Sequence, residues 1–551
     1  MTEEFPVTFM PLGKRVFCAG SEKLIESARR AGVRILSTCG GHGQCRSCAV
    51  RFEGALPEAT ATDCQGFSGD EISAGWRFAC LAHPVGPCMV HVPAKSAATV
   101  VLDEVTGPSV VPIRQPILHP AAEKGNWLRG EHRVGPIADG RALGLAVDLG
   151  TTNLAAAAID LQSGRVVATG TKENPQVGFG GDVISRMGQA LQGADVARQL
   201  QHLAVQAIAE MAARLTEGHA ERVAEVAVVG NSVMQHLLLG LPLDSLARAP
   251  HVPHTSHATE ILASDLGLTL APGAWLYFGP NIAGFVGSDH VAALLETMTA
   301  SPPRCWALLD IGTNTEISLC IDGRLTSVSC ASGPALEGGT LTCGMQAARG
   351  AVQRVRIEDT GLRLDTIGAV PPVGICGSGS LSLLSELCRT GVVNARGRLS
   401  AKHPLVRQHN RKLEFVLADE LQTGALPVVF TQEDVRAMQL AKGAIRTGLD
   451  LLLAEAGVDA SGLDRLFVAG TFGKYIDIDE AVSVGLLPTV PRERIVQVGN
   501  AAACGARRML VCGDMRLRAQ QIARQAHYIE LATQTGFQET FLRRITLQAA
   551  T

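Results

Sequence analysis

One strand-and-turn signature occurs twice in this chain, and it constrains the fold more than any other feature. The first copy is Leu143-Gly144-Leu145-Ala146-Val147-Asp148-Leu149-Gly150-Thr151-Thr152-Asn153. The second is Trp306-Ala307-Leu308-Leu309-Asp310-Ile311-Gly312-Thr313-Asn314-Thr315-Glu316-Ile317. Each is an apolar strand that ends in Asp-x-Gly-Thr and then resumes as a strand. A strand end presents a carboxylate that can hold Mg²⁺ directly or through water. Glycine lets the turn approach a phosphate, and backbone N–H groups with threonine hydroxyls wrap its oxygens. A single Asp-x-Gly-Thr is an ordinary hairpin turn. Two with matched flanks imply an internally duplicated α/β fold whose halves pinch one nucleotide between them.

A third glycine turn fits the same scheme. Thr431 reads as the N-cap of a helix whose apolar stripe is Val435, Met438, Ala441, Ile445, Leu449 and Leu452, ending before Gly457. Arg465-Leu466-Phe467-Val468-Ala469 then reads as a strand, Gly470-Thr471-Phe472-Gly473 as a sharp turn, and Val496 to Ala502 as another strand followed by glycine. Glycine-rich strand ends side by side suit the flat face of a base and ribose.

Ahead of this body stand four cysteines, Cys39, Cys45, Cys48 and Cys80, in the frame C-x5-C-x2-C-x31-C. Four thiolates are the ligand set of a [2Fe–2S] cluster, and three from one loop plus a distant fourth is the plant-type arrangement, here with one residue more in the first gap. Structural zinc prefers two close cysteine pairs, whereas this chain has one close pair and two single cysteines. Gly40, Gly41 and Gly43 allow backbone N–H groups to approach the sulfurs. Around the loop, Val7-Thr8-Phe9 and Arg15-Val16-Phe17 read as strands, and residues 21–31 as a helix burying Leu24, Ile25 and Ala28 with Gly32 as its stop. The other eleven cysteines lack C-x2-C spacing and read as small core residues. The chain carries no G-x-G-x-x-G after a strand and no G-x-x-x-x-G-K-[ST], hence neither a dinucleotide fingerprint nor a P-loop, and its electrons come from another protein.

The chain has 551 residues, 46% hydrophobic and 18% charged, enough for several packed domains. A net charge of −3 without a basic block argues against nucleic acid as the partner. No apolar run reaches the ~18 residues of a spanning helix, and the acidic N-terminus is no secretion signal. The expected location is the cytoplasm, with no membrane contact. Residues 93–141 are punctuated by Pro93, Pro108, Pro112, Pro116, Pro120 and Pro136, with one candidate strand at residues 100–105. This connector is either a tether for the cysteine domain or an ordered packing arm.

Two phosphate hairpins and a Val-Ala-Gly-Thr-Phe-Gly turn in this order resemble the actin, sugar-kinase and Hsp70 superfamily. With the cysteine domain in front, the chain resembles the ATP-dependent reductive activases of corrinoid proteins. Further matching segments are Asn174-Pro175-Gln176, Gly181 to Arg186, Val229 to Met234, Pro280 to Gly287, Ala331 to Ala335 and Gly374 to Ser380. The resemblance implies a multidomain α/β protein. Its parts are a β-grasp ferredoxin-like domain at 1–92, the connector at 93–141, and two RNase H-like lobes at 142–303 and 304–551. It implies a [2Fe–2S] cluster on the four cysteines, with ATP and Mg²⁺ in the body. Asp148, Asp310 and Glu316 take the catalytic places. Gly150, Thr151, Thr152, Asn153, Gly312, Thr313 and Asn314 contact phosphate. Gly470, Thr471 and Gly473 lie on the adenosine side, with Gly377 and Gly379 as hinge and pocket glycines. The implied task is one-electron return of a corrinoid protein from Co(II) to Co(I) in a methyltransferase system, fed by an external reductase or ferredoxin; a homodimer is left open. The rivals are a dehydratase-activator type of iron–sulfur ATPase, a small-molecule kinase and a non-catalytic redox sensor.

Overall fold

The computed structural model describes the chain apart from residues 1–3, 34, 36, 38–42, 44–47, 94–106, 300–301, 360, 410, 424–425 and 548–551 and the side chains of Ala138 and Thr471. The candidate strand at 100–105, and Cys39 and Cys45 with most of their loop, lie outside the described residues.

The cysteine domain is a five-stranded mixed sheet in the order Lys14–Ala19, Glu4–Met10, Cys88–His91, Ala49–Gly54, Trp76–Phe78. The helix Leu24–Arg30 buries Leu24, Ile25 and Ala28 against it, and the chain turns away at Gly32 with φ +63°. This is the β-grasp layout.

The duplication is visible in sheet topology. The first lobe runs Val166–Glu173, Asn153–Asp160, Leu143–Leu149, Val223–Val229, Trp275–Phe278, with Thr259–Leu262 on the far edge. The second runs Arg324–Cys330, Thr315–Ile321, Cys305–Ile311, Arg465–Ala469, Ile495–Gly499, with His527–Tyr528 on the near edge. In both, the first three strands are antiparallel and the next two parallel. Asp148 and Asp310 stand at the same register, opposite Val229 and Ala469 of the neighbouring parallel strand.

Each lobe reaches its fourth strand through a long helix, Ala194–Leu215 or Gln432–Glu455. The second starts as the sequence implies. The Thr431 hydroxyl accepts from the Asp434 N–H, and the Asp434 carboxylate accepts from the Thr431 N–H, closing a capping box. Every residue of its apolar stripe is buried. The expected sharp turn at Gly470–Gly473 is instead the opening of a short helix, Thr471–Tyr475.

After the fifth strand each lobe closes with a helix, Ser288–Thr299 or Ala501–Val511. These two helices cross each other between the lobes. A methyl group on Gly505 would lie 2.1 Å from the Ala292 carbonyl oxygen, so only glycine permits this separation. Helix Ala501–Val511 also lies against the first lobe, where Ala155 packs on Ala503. That contact explains the run Leu154-Ala155-Ala156-Ala157-Ala158, a weak strand former by propensity but small enough to admit a foreign helix.

For residues 107–141 the packing arm, not the tether, describes the connector. Val111 donates to Gly164 and Gly513 donates to Gln115, so the arm spans the first lobe and the end of the crossing helix. Its three short strands, His119–Pro120, Trp127–Arg129 and His132–Val134, carry Arg129 onto the first lobe. There Arg129 and Arg516 share the fully buried Glu225 and the half-exposed Glu260.

Candidate functional site

The two Asp-x-Gly-Thr turns face each other across the gap between the lobes, tied by a residue that sequence reasoning did not single out. Glu337, on the short turn Pro334–Glu337, accepts from Thr313 Oγ1 at 2.6 Å and from Thr152 Oγ1 at 3.4 Å, one hydroxyl from each lobe. Each turn is braced from behind. In the first, Asn174 donates to the Gly150 carbonyl at 2.8 Å, Arg186 donates to the Thr151 carbonyl, and Asn231 donates to Thr151 Oγ1 at 3.0 Å. In the second, Ser332 Oγ lies 3.1 Å from the Gly312 carbonyl and 2.9 Å from Thr315 Oγ1.

Five carboxylates gather here: Asp148, Asp289, Asp310, Glu316 and Glu337. Asp148 and Asp310 keep a little accessible surface while lying deep in the chain, as residues on a cleft floor do. Burial pushes Asp148 up to about 6, with the Asn500 amide at 2.9 Å opposing. Burial and then the charge of Asp148 push Asp289 up to about 7. Asp310 rises to about 8 through burial and the charges of Asp289 and Asp148. Burial, followed by Asp289 and Asp310, raises Glu316 well above its ordinary value. Burial raises Glu337 against the pull of the Thr313 and Thr152 hydroxyls. No lysine or arginine figures among the charges that shift these five groups. Concentrated negative charge without a protein cation calls for a cationic ligand. Among the described residues, no three His, Cys, Asp or Glu side chains come close enough to enclose an ion unaided.

The crossed helices make the site a shared one. Asp289, in the first turn of the first lobe's closing helix, acts on Asp310 and Glu316 of the second lobe. Asn500, the N-cap of the second lobe's closing helix, donates to Asp148 of the first. His290 is buried beside Asp289 and hydrogen-bonds Ser318 of the second lobe at 2.6 Å; burial depresses it to about 3, so it is neutral.

The predicted glycines fall into two groups. Gly470, at φ +89°, has no room for a side chain: a methyl would lie 2.3 Å from the Ile311 carbonyl and 3.2 Å from an Asp310 carboxylate oxygen. It therefore fits closely behind the second turn. Gly377 and Gly379 lie against the Leu336 and Val352 carbonyls, seating helix Gly377–Arg389 behind Glu337. Gly473 packs on Val468, and its carbonyl accepts from Gln497. A cavity of about 450 Å³ lined by Leu295, Met298, Met515 and Arg518 lies at the other end of the closing helix and includes none of the five carboxylates.

Of the four cysteines, Cys48 and Cys80 are described. Both are buried, 1% and 0% exposed, with sulfurs 3.2 Å apart and no disulfide between them. Two buried thiols converging this closely suit ligands of a shared metal centre, so the donor set fits a cluster. Cys80 is placed by its neighbours. The Ala79 N–H bonds the Cys48 carbonyl, the Ala79 carbonyl accepts from Ile25 in helix Leu24–Arg30, and buried Arg77 donates to the Pro57 and Ile72 carbonyls. Gly43, at φ +73°, lies in the cysteine loop against Leu81.

Comparison with known proteins gives three family matches along the chain. Residues 9–85 match the 2Fe-2S iron-sulfur cluster binding domain, 143–300 the RACo middle region, and 305–551 the C-terminal domain of RACo, the ASKHA domain. The corrinoid activation enzyme RamQ of Eubacterium limosum is 34% identical over 413 residues, 72% of this chain and 69% of that protein. The [Co(II) methylated amine-specific corrinoid protein] reductase of Methanosarcina barkeri is 26% identical over 435 residues, 72% of this chain and 76% of that protein. A solved structure of a reductive activator for corrinoid, iron-sulfur protein aligns over 99% of both chains at 27% identity with a TM-score of 0.71. A cluster-binding domain followed by the RACo middle region and ASKHA domain, with RamQ matched along most of its length, places this chain in the RACo family of corrinoid activation enzymes.

Proposed function

We propose that this chain performs ATP-dependent reductive reactivation of a corrinoid protein, delivering one electron that returns Co(II) to Co(I) in support of a methyltransferase. The observation that carries the reading is the meeting of Asp148 and Asp310 at equivalent strand ends, with threonines of both turns on one carboxylate, in a chain that also brings two buried thiols together.

Bound at Cys39, Cys45, Cys48 and Cys80, a [2Fe–2S] centre would supply one-electron transfer near roughly −400 mV. Asp148 and Asp310 would position Mg²⁺ through water, because that ion keeps several waters and takes few protein ligands. Thr151, Thr152, Thr313 and Asn314 would turn their hydroxyl, amide and backbone N–H groups to the phosphates. Glu337 would release the two threonine hydroxyls as phosphate oxygens arrive. Asp289 and Glu316 would orient water at the same site. Water is the nucleophile and no side chain need attack, which suits phosphoryl chemistry governed by positioning and electrostatics. An acceptor on the order of 200 mV below the donor would leave transfer uphill by roughly 4–5 kcal/mol, at about 59 mV per tenfold for one electron. Nucleotide turnover offsets this by favouring one arrangement of the lobes over another. The electron source is an external reductase or ferredoxin.

The test is formation of Co(I) from a Co(II) corrinoid protein, followed anaerobically by visible absorption with and without ATP. Asp310→Ala should keep about two irons per chain and lose the ATP-dependent reduction. Cys48→Ser should bind nucleotide and deliver no electron. Reduction that runs equally well without ATP refutes the reading.

A further inference from the structure

We propose that Arg29 is a positioning residue linking nucleotide occupancy of the cleft to the cluster domain. The proposal rests on the two sites assigned above. Arg29 lies in the last turn of helix Leu24–Arg30 and donates from Nη2 to the Gly178 carbonyl of the first lobe at 2.5 Å. Gly178 packs close under it: a methyl there would meet Arg29 Nε at 3.4 Å.

The segment that receives Arg29 hangs from the first phosphate turn. Asn174, which caps Pro175–Phe179, donates its side chain to the Gly150 carbonyl and its backbone N–H to the Thr152 carbonyl, both at 2.8 Å. Arg186 closes the other side, donating to the Thr151 carbonyl, to the Gly180 carbonyl at 2.8 Å and to Gln176 Oε1 at 3.4 Å. Gly150, Thr151 and Thr152 therefore cannot shift to admit phosphate without moving the short turn that carries Gly178.

On the other side, the N-terminus of Arg29's helix is bonded to the Ala79 carbonyl, the residue before Cys80. Desolvation lowers the Arg29 pKa most, and the charges of Glu26 and Cys80 act against it, which sets guanidinium and thiolate within electrostatic reach. The cluster domain also meets the second lobe, where His409 Nε2 lies 3.8 Å from Glu71 Oε2. One small domain thus holds a contact to each half of the cleft. A change in either half alters how Arg29 is held beside the cluster ligands. Reduction of a cluster held there would add a negative charge within electrostatic reach of Arg29, and linkage makes the effect reciprocal: whatever nucleotide does to the cluster, the cluster's redox state does to nucleotide affinity.

The experiment measures affinity of the full, cluster-loaded chain for a non-hydrolysable ATP analogue with Mg²⁺, in the oxidised and the dithionite-reduced states. The wild type should show affinities differing at least about threefold between the two states. That is a shift of about 28 mV in cluster midpoint on nucleotide binding, at 59 mV per tenfold. Arg29→Ala and Arg29→Glu should bring the ratio to one and abolish the midpoint shift, and Arg29→Lys, which keeps the charge, should recover part of both. Iron content and nucleotide binding are measured in the same samples. Loss of either in the wild type would count against the functional reading, whereas a wild-type ratio of one, or a ratio unchanged in Arg29→Ala, overturns the role of Arg29.

Discussion

Replacing Asp310 by Asn should make the nucleotide-free protein more stable at alkaline pH while destroying its Mg²⁺-nucleotide response. The sign follows from the raised carboxylates. Asp148, Asp289 and Asp310 stand at about 6, 7 and 8 in the folded chain and near 3.9 when unfolded. Folding therefore takes up protons in this range, and the contribution of these groups is present at low pH and lost as pH rises through their folded values. Each extra proton held by the folded state sets a slope of about 1.4 kcal/mol per pH unit. With one to two such protons between pH 6 and 8, the wild type should lose roughly 3–6 kcal/mol across that window. Asp310 is the most strongly raised of the three with a stated value. An amide in its place keeps the shape of the protonated acid and removes its share of the loss, about 2 kcal/mol, or roughly 4–8 °C in the melting midpoint of a single lobe of about 150–250 residues. His290 titrates in the opposite sense, its depressed value costing stability as pH falls below about 6.5, but it is present in both proteins and cancels in the difference. Melting of both proteins at pH 6, 7 and 8, with and without Mg²⁺ and ADP, makes the comparison. The wild type should gain most from Mg²⁺-ADP at pH 8, and Asp310→Asn should gain little at any pH. A wild-type midpoint that stays flat from pH 6 to 8, or an Asp310→Asn midpoint no higher than wild type at pH 8, would refute the charge-repulsion account.

Two further substitutions test the framework that holds the site. Gly505→Ala would raise helix propensity, worth about 1 kcal/mol in an open helix, yet its methyl would lie 2.1 Å from the Ala292 carbonyl. The clash should win, lowering stability by about 1–3 kcal/mol and weakening nucleotide binding, both readable by thermal melting and titration. Arg516→Met would leave Glu225, 0% exposed, with Arg129 as its remaining guanidinium partner; the loss should fall at the lower end of the ~3–5 kcal/mol typical of broken buried pairs, read by denaturant unfolding.

The parts of this molecule that were legible in the sequence are those written locally. Asp148 and Asp310 stand at the ends of apolar strands, and Thr431 and Asp434 spell a cap, so each signal lies within a dozen residues. Asp289 and Glu337 were missed for a physical reason. Each lies two residues beyond a segment that resembles the family, Pro280 to Gly287 and Ala331 to Ala335. Locally, Asp289 reads only as an acid favoured by a helix N-terminus, and Glu337 as one polar residue on a short turn. Their importance comes from what lies across the cleft, and no spacing rule reports that. The connector shows the same limit. Its prolines suit a tether or an arm equally, and over residues 107–141 the arm is decided by Arg129 meeting Glu225 and Glu260, more than ninety residues away.

The crossing of the two closing helices gives this arrangement its logic. If each lobe carried its own complete site, a nucleotide would hold one lobe and leave the other indifferent. Here Asn500 of the second lobe bonds Asp148 of the first, while Asp289 of the first lobe burdens Asp310 and Glu316 of the second. The site exists only in the relation between the lobes, and repulsion among its carboxylates is stored in that relation. A cation placed among them would relieve the repulsion in one arrangement of the lobes more than in another. That differential is the quantity by which a ligand shifts a conformational equilibrium. The cluster domain, joined to one lobe through Arg29 and to the other through Glu71, sits where it would feel that shift. On this reasoning the stability given up to carboxylate repulsion would supply the response to a nucleotide, and a variant relieved of it should be sturdier and unresponsive together.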